Sequence, residues 1–273
     1  MTFKKYKFKY MIQFYDKTNI NNLKDIDIYF TKNYGIACEY SDSSFWEVCK
    51  YKDLIYVYLK RPYFYDNIVY YDLITPYGYS GYYFENEDTF DEFIELFRIE
   101  AKKRNYLTEV LRQNPYLNLN YDKISSKYDN IVCKKTLGVY LKKYNDLDNY
   151  IKKTHKDNRK CYNKALNNNL VFKMNSINKD LLEKFLKIYN KTMENLNANH
   201  YYYFNKNYYN KLLDLNQHIK IANVYYNDIL IASCMIFIFG DYINYHIGGS
   251  LLEYRHLYPN NFLHCKVIEY GIN

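Results

Sequence analysis

The chain has no paired cysteines. Its six cysteines (Cys38, Cys49, Cys133, Cys161, Cys234, Cys265) are dispersed over 273 residues, no Cys-x-x-Cys occurs, and the six histidines are equally scattered. Zinc ligands come in closely spaced pairs, so no metal site is expected, and reduced thiols of a cytoplasmic protein are the simpler reading. A long apolar run is also missing. The stretch Ile229–Phe239 is too short to cross a bilayer. Residues 1–19 carry charges but no hydrophobic segment of the signal-peptide kind. No Gly-x-Ser-x-Gly elbow is present, and no Cys/His pair is evident along the chain, so a nucleophilic triad is not expected.

Aromatic residues, by contrast, make up 20%, with 38 tyrosines. A sizeable core can form, but it must be amphipathic, because a buried phenol needs a hydrogen-bond partner. The excess of Lys, Asn, Tyr and Ile fits codon bias in an A+T-rich genome, so the tyrosines are not by themselves a functional signal. The formal charge is +8, which suits an anionic partner and equally suits a solvated surface.

The order of elements repeats. Strand-like runs at 45–51, 54–59 and 67–74, broken at Pro62, lead into a loop at 76–81. A helix follows, opened by Thr89 and Glu92 as a capping box and carrying Phe90, Phe93, Ile94, Phe97 and Ala101 on one face. Later, strands at 219–225, 229–239 and 242–247 lead to Gly248-Gly249, read as the start of a loop, and to a helix capped by Asn261. Between the copies the periodicity predicts helices over 146–167, 180–196 and 207–215 and a strand over 170–174. A further strand is expected over 130–141. The layout is α+β, with a boundary near Tyr140: a first lobe over 1–140 and a second over 141–273.

The loop in Asp72-Leu73-Ile74-Thr75-Pro76-Tyr77-Gly78-Tyr79-Ser80-Gly81 is the most informative stretch. Pro76 fixes its own φ, and Gly78 and Gly81 open backbone conformations closed to other residues, so main-chain N–H groups can approach a ligand walled by tyrosines. An ordinary Pro/Gly turn has the same letters.

The motifs YYDLITPYGYSG (70–81), LRQNPYLNLN (111–120), HKDNRKCYNKA (155–165), IYNKTMENLNANHYYYF (188–204), YHIGGS (245–250) and LYPNNFLHCKVIEYG (257–271), in this order and spacing, resemble the FemABX-like branch of the GNAT acyltransferase superfamily. The resemblance implies two tandem GNAT-like lobes with mostly antiparallel central sheets. It implies transfer of an acyl group to an amine, typically an amino acid from aminoacyl-tRNA to a peptidoglycan precursor. Partners would be aminoacyl-tRNA and an anionic nucleotide-linked or peptide acceptor, with no cofactor. The family pattern runs on beyond the second central helix, so the second lobe is expected to be incomplete, with an open sheet edge at 242–247 that favours self-association. A CoA-dependent N-acetyltransferase is the alternative enzyme, with acetyl-CoA as donor. The Q/R-x-x-G-x-G/A phosphate loop of that class is absent from 76–89 and from 248–261. A remnant or binding module is the non-enzymatic alternative.

Acyl transfer from an ester to an amine requires positioning, a neutral amine and oxyanion stabilisation. Asp72 is a candidate proton acceptor, or else a hydrogen-bond acceptor for the loop. His246 is a candidate base near neutral pH, or else a satisfied core residue. Tyr77 and Tyr79, on either side of Gly78, are candidates to line the acceptor pocket, or else pack the lobe interface, and Gly248 and Gly249 echo Gly78 and Gly81 as a second candidate ligand-flanking loop. Arg112, where the family carries an arginine, is a candidate to bind an anionic substrate group, or else ties the two lobes through a carboxylate. Lys156, Arg159 and Lys160, with Lys152 and Lys164, lie along one side of the 146–167 helix and suit a diphosphate or tRNA backbone; a solvated face reads identically.

Overall fold

The computed structural model describes residues 10–117, 120–132 and 135–273. The chain divides into two units, Met1–Thr136 and Leu137–Asn273. Both combine helices with a sheet, so the α+β class with mostly antiparallel sheets holds. Cys133 lies outside the described residues.

The first unit is built on β1 (Gln13–Asp16), β2 (Phe45–Tyr51), β3 (Leu54–Tyr65), β4 (Ile68–Ile74), β5 (Gly81–Tyr83) and β6 (Tyr106–Val110), in the order β1-β2-β3-β4-β6 with β5 beside β3. All pairs are antiparallel except β4–β6, which is parallel and is bridged by the crossover helix α2 (Glu87–Lys103). Helix α1 (Lys32–Asp42) covers the other face. The unbroken apolar run of β3 follows from this sandwiching. Leu54, Tyr56 and Tyr58 join Phe90, Phe93 and Phe97 of α2 in one core, while Ile55, Val57 and Leu59 point to the opposite face. Each fully buried phenylalanine contributes about 1.5–3 kcal/mol of transfer free energy. Two carboxylates satisfy the buried phenols. Glu47 accepts from Tyr58, from Tyr106 at 2.5 Å and from Lys60 at 2.7 Å. Glu109 accepts from Tyr56 and, at 2.9 Å, from Tyr82, whose oxygen lies 2.8 Å from that of Tyr128.

The second unit carries α4 (Leu147–Lys153), α5 (Lys156–Leu166), β7 (Val171–Ser176), α6 (Lys179–Asn195), α7 (Lys206–Leu212), β8 (Ile219–Tyr226), β9 (Ile229–Phe239), β10 (Tyr242–Ser250) and α8 (Pro259–Ile272); a one-turn α3 (Tyr121–Ser125) precedes them in the first unit. The sheet is a wholly antiparallel meander, β10-β9-β8-β7, with β10 and β7 at its edges. Ala222, Val224, Ala232, Cys234 and Ile236 face α8 with Leu147, Ile151 and Tyr162. The alternate residues Ile219, Ile221, Met235 and Phe237 are fully buried on the other side, where α6 presents Leu182, Phe185 and Tyr189.

Several expectations are corrected. Pro62 does not end a strand: β3 continues through it to Tyr65, because β2 has already stopped at Phe45 opposite Lys60 and no ladder bond is lost on that side. Helix α2 starts at Glu87 under an Asn86 cap, not at Thr89, which is buried inside it. The 146–167 helix is two helices, separated at Thr154-His155. Asn261 lies within α8, whose cap position is Tyr258 in the left-handed region, with Pro259 at the first turn. The described part of 130–141 forms no strand and ends in a single 3-10 turn, Leu141–Lys143. No described helix is long and apolar enough to cross a membrane.

Candidate functional site

The loop after β4 is extruded from the ladder. Ile74 pairs with Leu59 of β3, and Gly81 pairs with Val57, so 75–80 stand opposite the single residue Tyr58. Residues 110–114 stitch both ends. Thr75 N donates to Val110 O at 3.1 Å, and Arg112 N donates to Thr75 Oγ1 at 2.7 Å. Ser80 N donates to Arg112 O at 3.3 Å, and Asn114 N donates to Ser80 O at 3.1 Å. Gln113 behaves like a strand: its Oε1 accepts from Tyr82 N at 2.9 Å and its Nε2 donates to Tyr82 O at 2.6 Å.

The glycines here are obligatory for conformation and for space. Gly78 has φ +95° and a Cβ there would sit 2.4 Å from the Tyr29 ring; Gly81 has φ +85° and would meet Gln113 and Leu111 at 2.6 Å. Tyr34 donates its hydroxyl to Tyr77 O at 2.5 Å. Tyr29 stands edge-on to Tyr34 and to Tyr79, with centroids 5.3 and 6.0 Å apart. Asp27 caps the turn that carries Tyr29, its Oδ1 accepting from Tyr29 N at 3.0 Å. Burial pushes the Asp27 carboxyl above the ordinary aspartate range, against the pull of the Tyr29 N–H and the nearby Asn114 amide. The same carboxyl helps push the Tyr29 and Tyr116 phenols up, after their own burial. The arrangement is a tyrosine-lined loop with a buried carboxyl behind it.

Tyr77, Gly78 and Tyr79 thus lie together with the backbone of Arg112. Asp72 does not join them. It sits within β4, where its Oδ1 accepts from Thr108 Oγ1 at 2.7 Å, opposite Arg61 of β3. Asp27, Tyr29, Tyr34, Gln113 and Asn114 were missed by the sequence reading. The Asp-x-Tyr cap and the Gln-Asn following Arg112 were the available signals.

In the second unit Gly248 and Gly249 do not open a loop. They lie within β10, paired with Cys234 and Ser233. A Cβ on Gly248 would meet Tyr245 Oη at 2.1 Å, and one on Gly249 would meet Thr192 Oγ1 at 2.3 Å. These glycines let a tyrosine ring and helix α6 approach the strand. Thr192 Oγ1 accepts from Ser250 N at 3.0 Å, which joins α6 to the end of β10. His246 occupies the irregularity of β10 between Tyr245 and Ile247. Its ring stacks on Phe237 with centroids 4.0 Å apart, and its Nε2 lies 2.8 Å from Tyr208 Oη. Burial pushes its pKa down to about 3, so the imidazole is neutral and a weak base.

On α5, Arg159 Nη1 donates to Thr154 O at 2.7 Å and to Lys152 O at 3.1 Å, closing the end of α4. Lys156 and Lys160 are exposed. Lys164 donates to Tyr258 Oη at 3.2 Å. Among the described residues no cluster of three or more His, Cys, Asp or Glu side chains is placed to hold a metal ion.

No protein-family model matches the sequence, and no curated protein does. Solved structures do match. The chain is similar to FemX, with a TM-score of 0.64 at 11% identity over 90% of this chain and 80% of that one. The chain has a Fem-like fold. It is also similar to a structure described as the C-terminal domain (DUF2156) of a lysylphosphatidylglycerol synthetase from Agrobacterium fabrum, with a TM-score of 0.50 at 10% identity over 88% of this chain and 70% of that one. A conserved protein of unknown function from Bacteroides thetaiotaomicron VPI-5482 gives a TM-score of 0.51 at 10% identity over 88% and 78%. At these identities the likeness is one of fold.

Proposed function

We propose that the chain is an aminoacyltransferase, moving an amino acid from an aminoacyl-tRNA to an amine acceptor. The observation that carries this reading is the likeness to FemX over 90% of the chain. The amine nitrogen attacks the ester carbonyl carbon, the C–N bond forms, the C–O bond to ribose breaks, and the amine proton ends on the ribose oxygen. In this reading the 75–80 loop holds the acceptor, with Tyr77, Gly78 and Tyr79 against it. Asp72, bonded to Thr108 within β4 and apart from the loop, keeps a structural role in this reading. The exposed Lys156 and Lys160 meet phosphates of the tRNA or of a nucleotide-linked acceptor. His246, buried and neutral against Phe237 and Tyr208, is a packing residue of the second unit.

The reaction needs no cofactor. Acetyl-CoA as donor is disfavoured because Glu87 and Asp88 occupy the first turn of α2, where a pyrophosphate would have to approach. The test supplies a labelled aminoacyl-tRNA and an amine-bearing peptide or nucleotide-linked acceptor, and follows label in the acceptor. Transfer that fails for Gly78→Ala while the fold survives supports the reading. No transfer from any aminoacyl-tRNA, or micromolar binding of acetyl-CoA by calorimetry, overturns it.

A further inference from the structure

The core under α2 carries phenylalanine on its helix side and tyrosine on its strand side. Phe90, Phe93 and Phe97 come from α2, whereas Tyr56 and Tyr58 come from β3 and Tyr82 from β5. Phenylalanine at the strand positions would bring no hydroxyl to satisfy. The chain instead buries carboxylates to receive the phenols, an arrangement more costly than a purely apolar one.

Register sets these phenols in a column. Tyr56 and Tyr58 lie on one face of β3, Tyr82 is the partner of Tyr56 across β5, and Glu47 is the partner of Tyr58 across β2. Ring centroids are 6.2 Å apart for Tyr106 and Tyr58, 4.6 Å for Tyr58 and Tyr56, and 4.4 Å for Tyr56 and Tyr82. The hydroxyl oxygens of Tyr82 and Tyr128 are 2.8 Å apart. The middle rings are buried, and Tyr106 and Tyr128 at the ends are half-buried.

Each carboxylate joins two of these phenols through a single oxygen. Glu47 Oε1 accepts from Tyr58 and, at 2.5 Å, from Tyr106. Glu109 Oε1 accepts from Tyr56 and, at 2.9 Å, from Tyr82. A backbone carbonyl is enough to satisfy a phenol, as Tyr77 O does for Tyr34. A shared carboxylate oxygen can in addition take the proton of either ring. That capacity matters when a phenol loses an electron, because its radical cation is a strong acid and oxidation proceeds readily only where a base receives the proton. The two carboxylates differ in this respect. Glu47 Oε2 also receives Lys60 Nζ at 2.7 Å, so a proton arriving on Glu47 meets a cation. Burial pushes the Glu109 carboxyl above the ordinary range, against the pull of its phenols, so it holds a proton more readily.

We propose that Tyr106, Tyr58, Tyr56, Tyr82 and Tyr128 form a redox relay, which takes up a one-electron oxidation delivered by an oxidising radical at a half-buried end and brings the tyrosyl radical to rest on Tyr56 or Tyr82 beside Glu109. Entering at Tyr106, the oxidant gains one electron from the ring, the Tyr106 O–H bond breaks, and the proton passes to Glu47 Oε1. Tyr106 then recovers an electron from Tyr58 and the proton from Glu47, while the Tyr58 proton takes its place on that oxygen. Tyr58 is reduced in turn by Tyr56 and regains its proton from Glu47, and the Tyr56 proton goes to Glu109 Oε1. The net change is one oxidant reduced, the Tyr56 O–H bond broken and the Glu109 carboxyl protonated. This inference does not depend on the aminoacyltransferase reading.

The probe is the carbonate radical anion, generated by pulse radiolysis in a solution of the full chain. Radicals on exposed tyrosines couple to dityrosine between chains. A radical held in this core should outlast them and give, after freeze-quenching, the electron paramagnetic resonance signal of a single hydrogen-bonded tyrosyl. Its formation should be slower in D2O, because proton and electron move together. Glu109→Gln keeps the shape and an acceptor oxygen but takes up no proton, and should lower the surviving radical by at least about tenfold. Tyr56→Phe combined with Tyr82→Phe should abolish it. Melting curves identify the variants that keep the fold, and the D2O comparison uses the unaltered chain. The proposal fails if no radical outlasts the exposed ones, if its formation is unchanged in D2O, or if it survives equally in a folded Glu109→Gln or double-phenylalanine variant. It also fails if the lasting signal is that of the Trp46 indole.

Discussion

Gly78 and Gly81 in the first unit, and Gly248 and Gly249 in the second, occupy equivalent places in the sequence pattern yet exist for different reasons. The first pair has φ values of +95° and +85° and shapes an extruded loop. The second pair lies in regular strand, and is there because Tyr245 and Thr192 press where a methyl would be. The first pair answers to conformation as well as space, the second to space alone. A glycine pair after a strand therefore marks an extruded loop only where its φ is positive.

Substitution separates the two cases. Gly78→Ala meets both penalties, strain at positive φ and overlap with the ring of Tyr29, and should cost about 3 kcal/mol in chemical denaturation. Gly249→Ala should cost about 2 kcal/mol, and Thr192→Ala added to it should recover part of the loss, because the obstructing oxygen is gone. No second-site rescue exists for the first variant, since trimming Tyr29 leaves the φ problem. Full recovery of Gly78→Ala by Tyr29→Ala would collapse the distinction.

The units also carry opposite pH liabilities. His246 has its folded pKa lowered from 6.5 to about 3. The unfolded chain then binds the extra proton, and stability falls as pH drops from 6.5 towards 3, by about 2 kcal/mol at about pH 5. His246→Gln should flatten that slope. Asp27 has its folded pKa raised above 3.8. There the folded state holds the proton longer, so stability falls as pH rises from 3.8 through the raised value, and Asp27→Asn should remove that smaller contribution. Melts at stepped pH check both; an acid-side slope unchanged in His246→Gln would refute the assignment. The smallest effect is expected at Arg159→Ala, about 1 kcal/mol from losing the α4 closure. RNA affinity should respond more to Lys156→Ala and Lys160→Ala, measured by filter binding across salt. Equal loss in all three would return Arg159 to direct phosphate contact.

The fold was legible where periodicity was strong. The meanders of both units, the β9 strand with its buried centre and the single apolar face of α6 follow from residue spacing. Helix α4–α5 was not separable, because Ile151, Thr154, Asn158 and Cys161 keep one period across a break that contains neither Gly nor Pro; the closure by Arg159 is a tertiary contact. The parallel pairing of β6 with β4 was hidden, because β6 is reached only through the crossover α2. Around the loop, Tyr77, Gly78 and Tyr79 were visible as letters. Gln113 was not, since it acts on Tyr82 far along the chain, and the local Asp27 cap gave no sign that it stands behind the loop.

The carboxylates under α2 have a consequence for light absorption. Tyr56, Tyr58 and Tyr82 are buried, and burial, with Glu47 or Glu109 next in importance, pushes their phenols well above the ordinary value of 10.0. On raising the pH, exposed tyrosines should ionise gradually, whereas these remain colourless until the first unit opens. The phenolate band should therefore rise in two stages, a broad ramp and then an abrupt step. The step is a built-in indicator that fires when this core gives way.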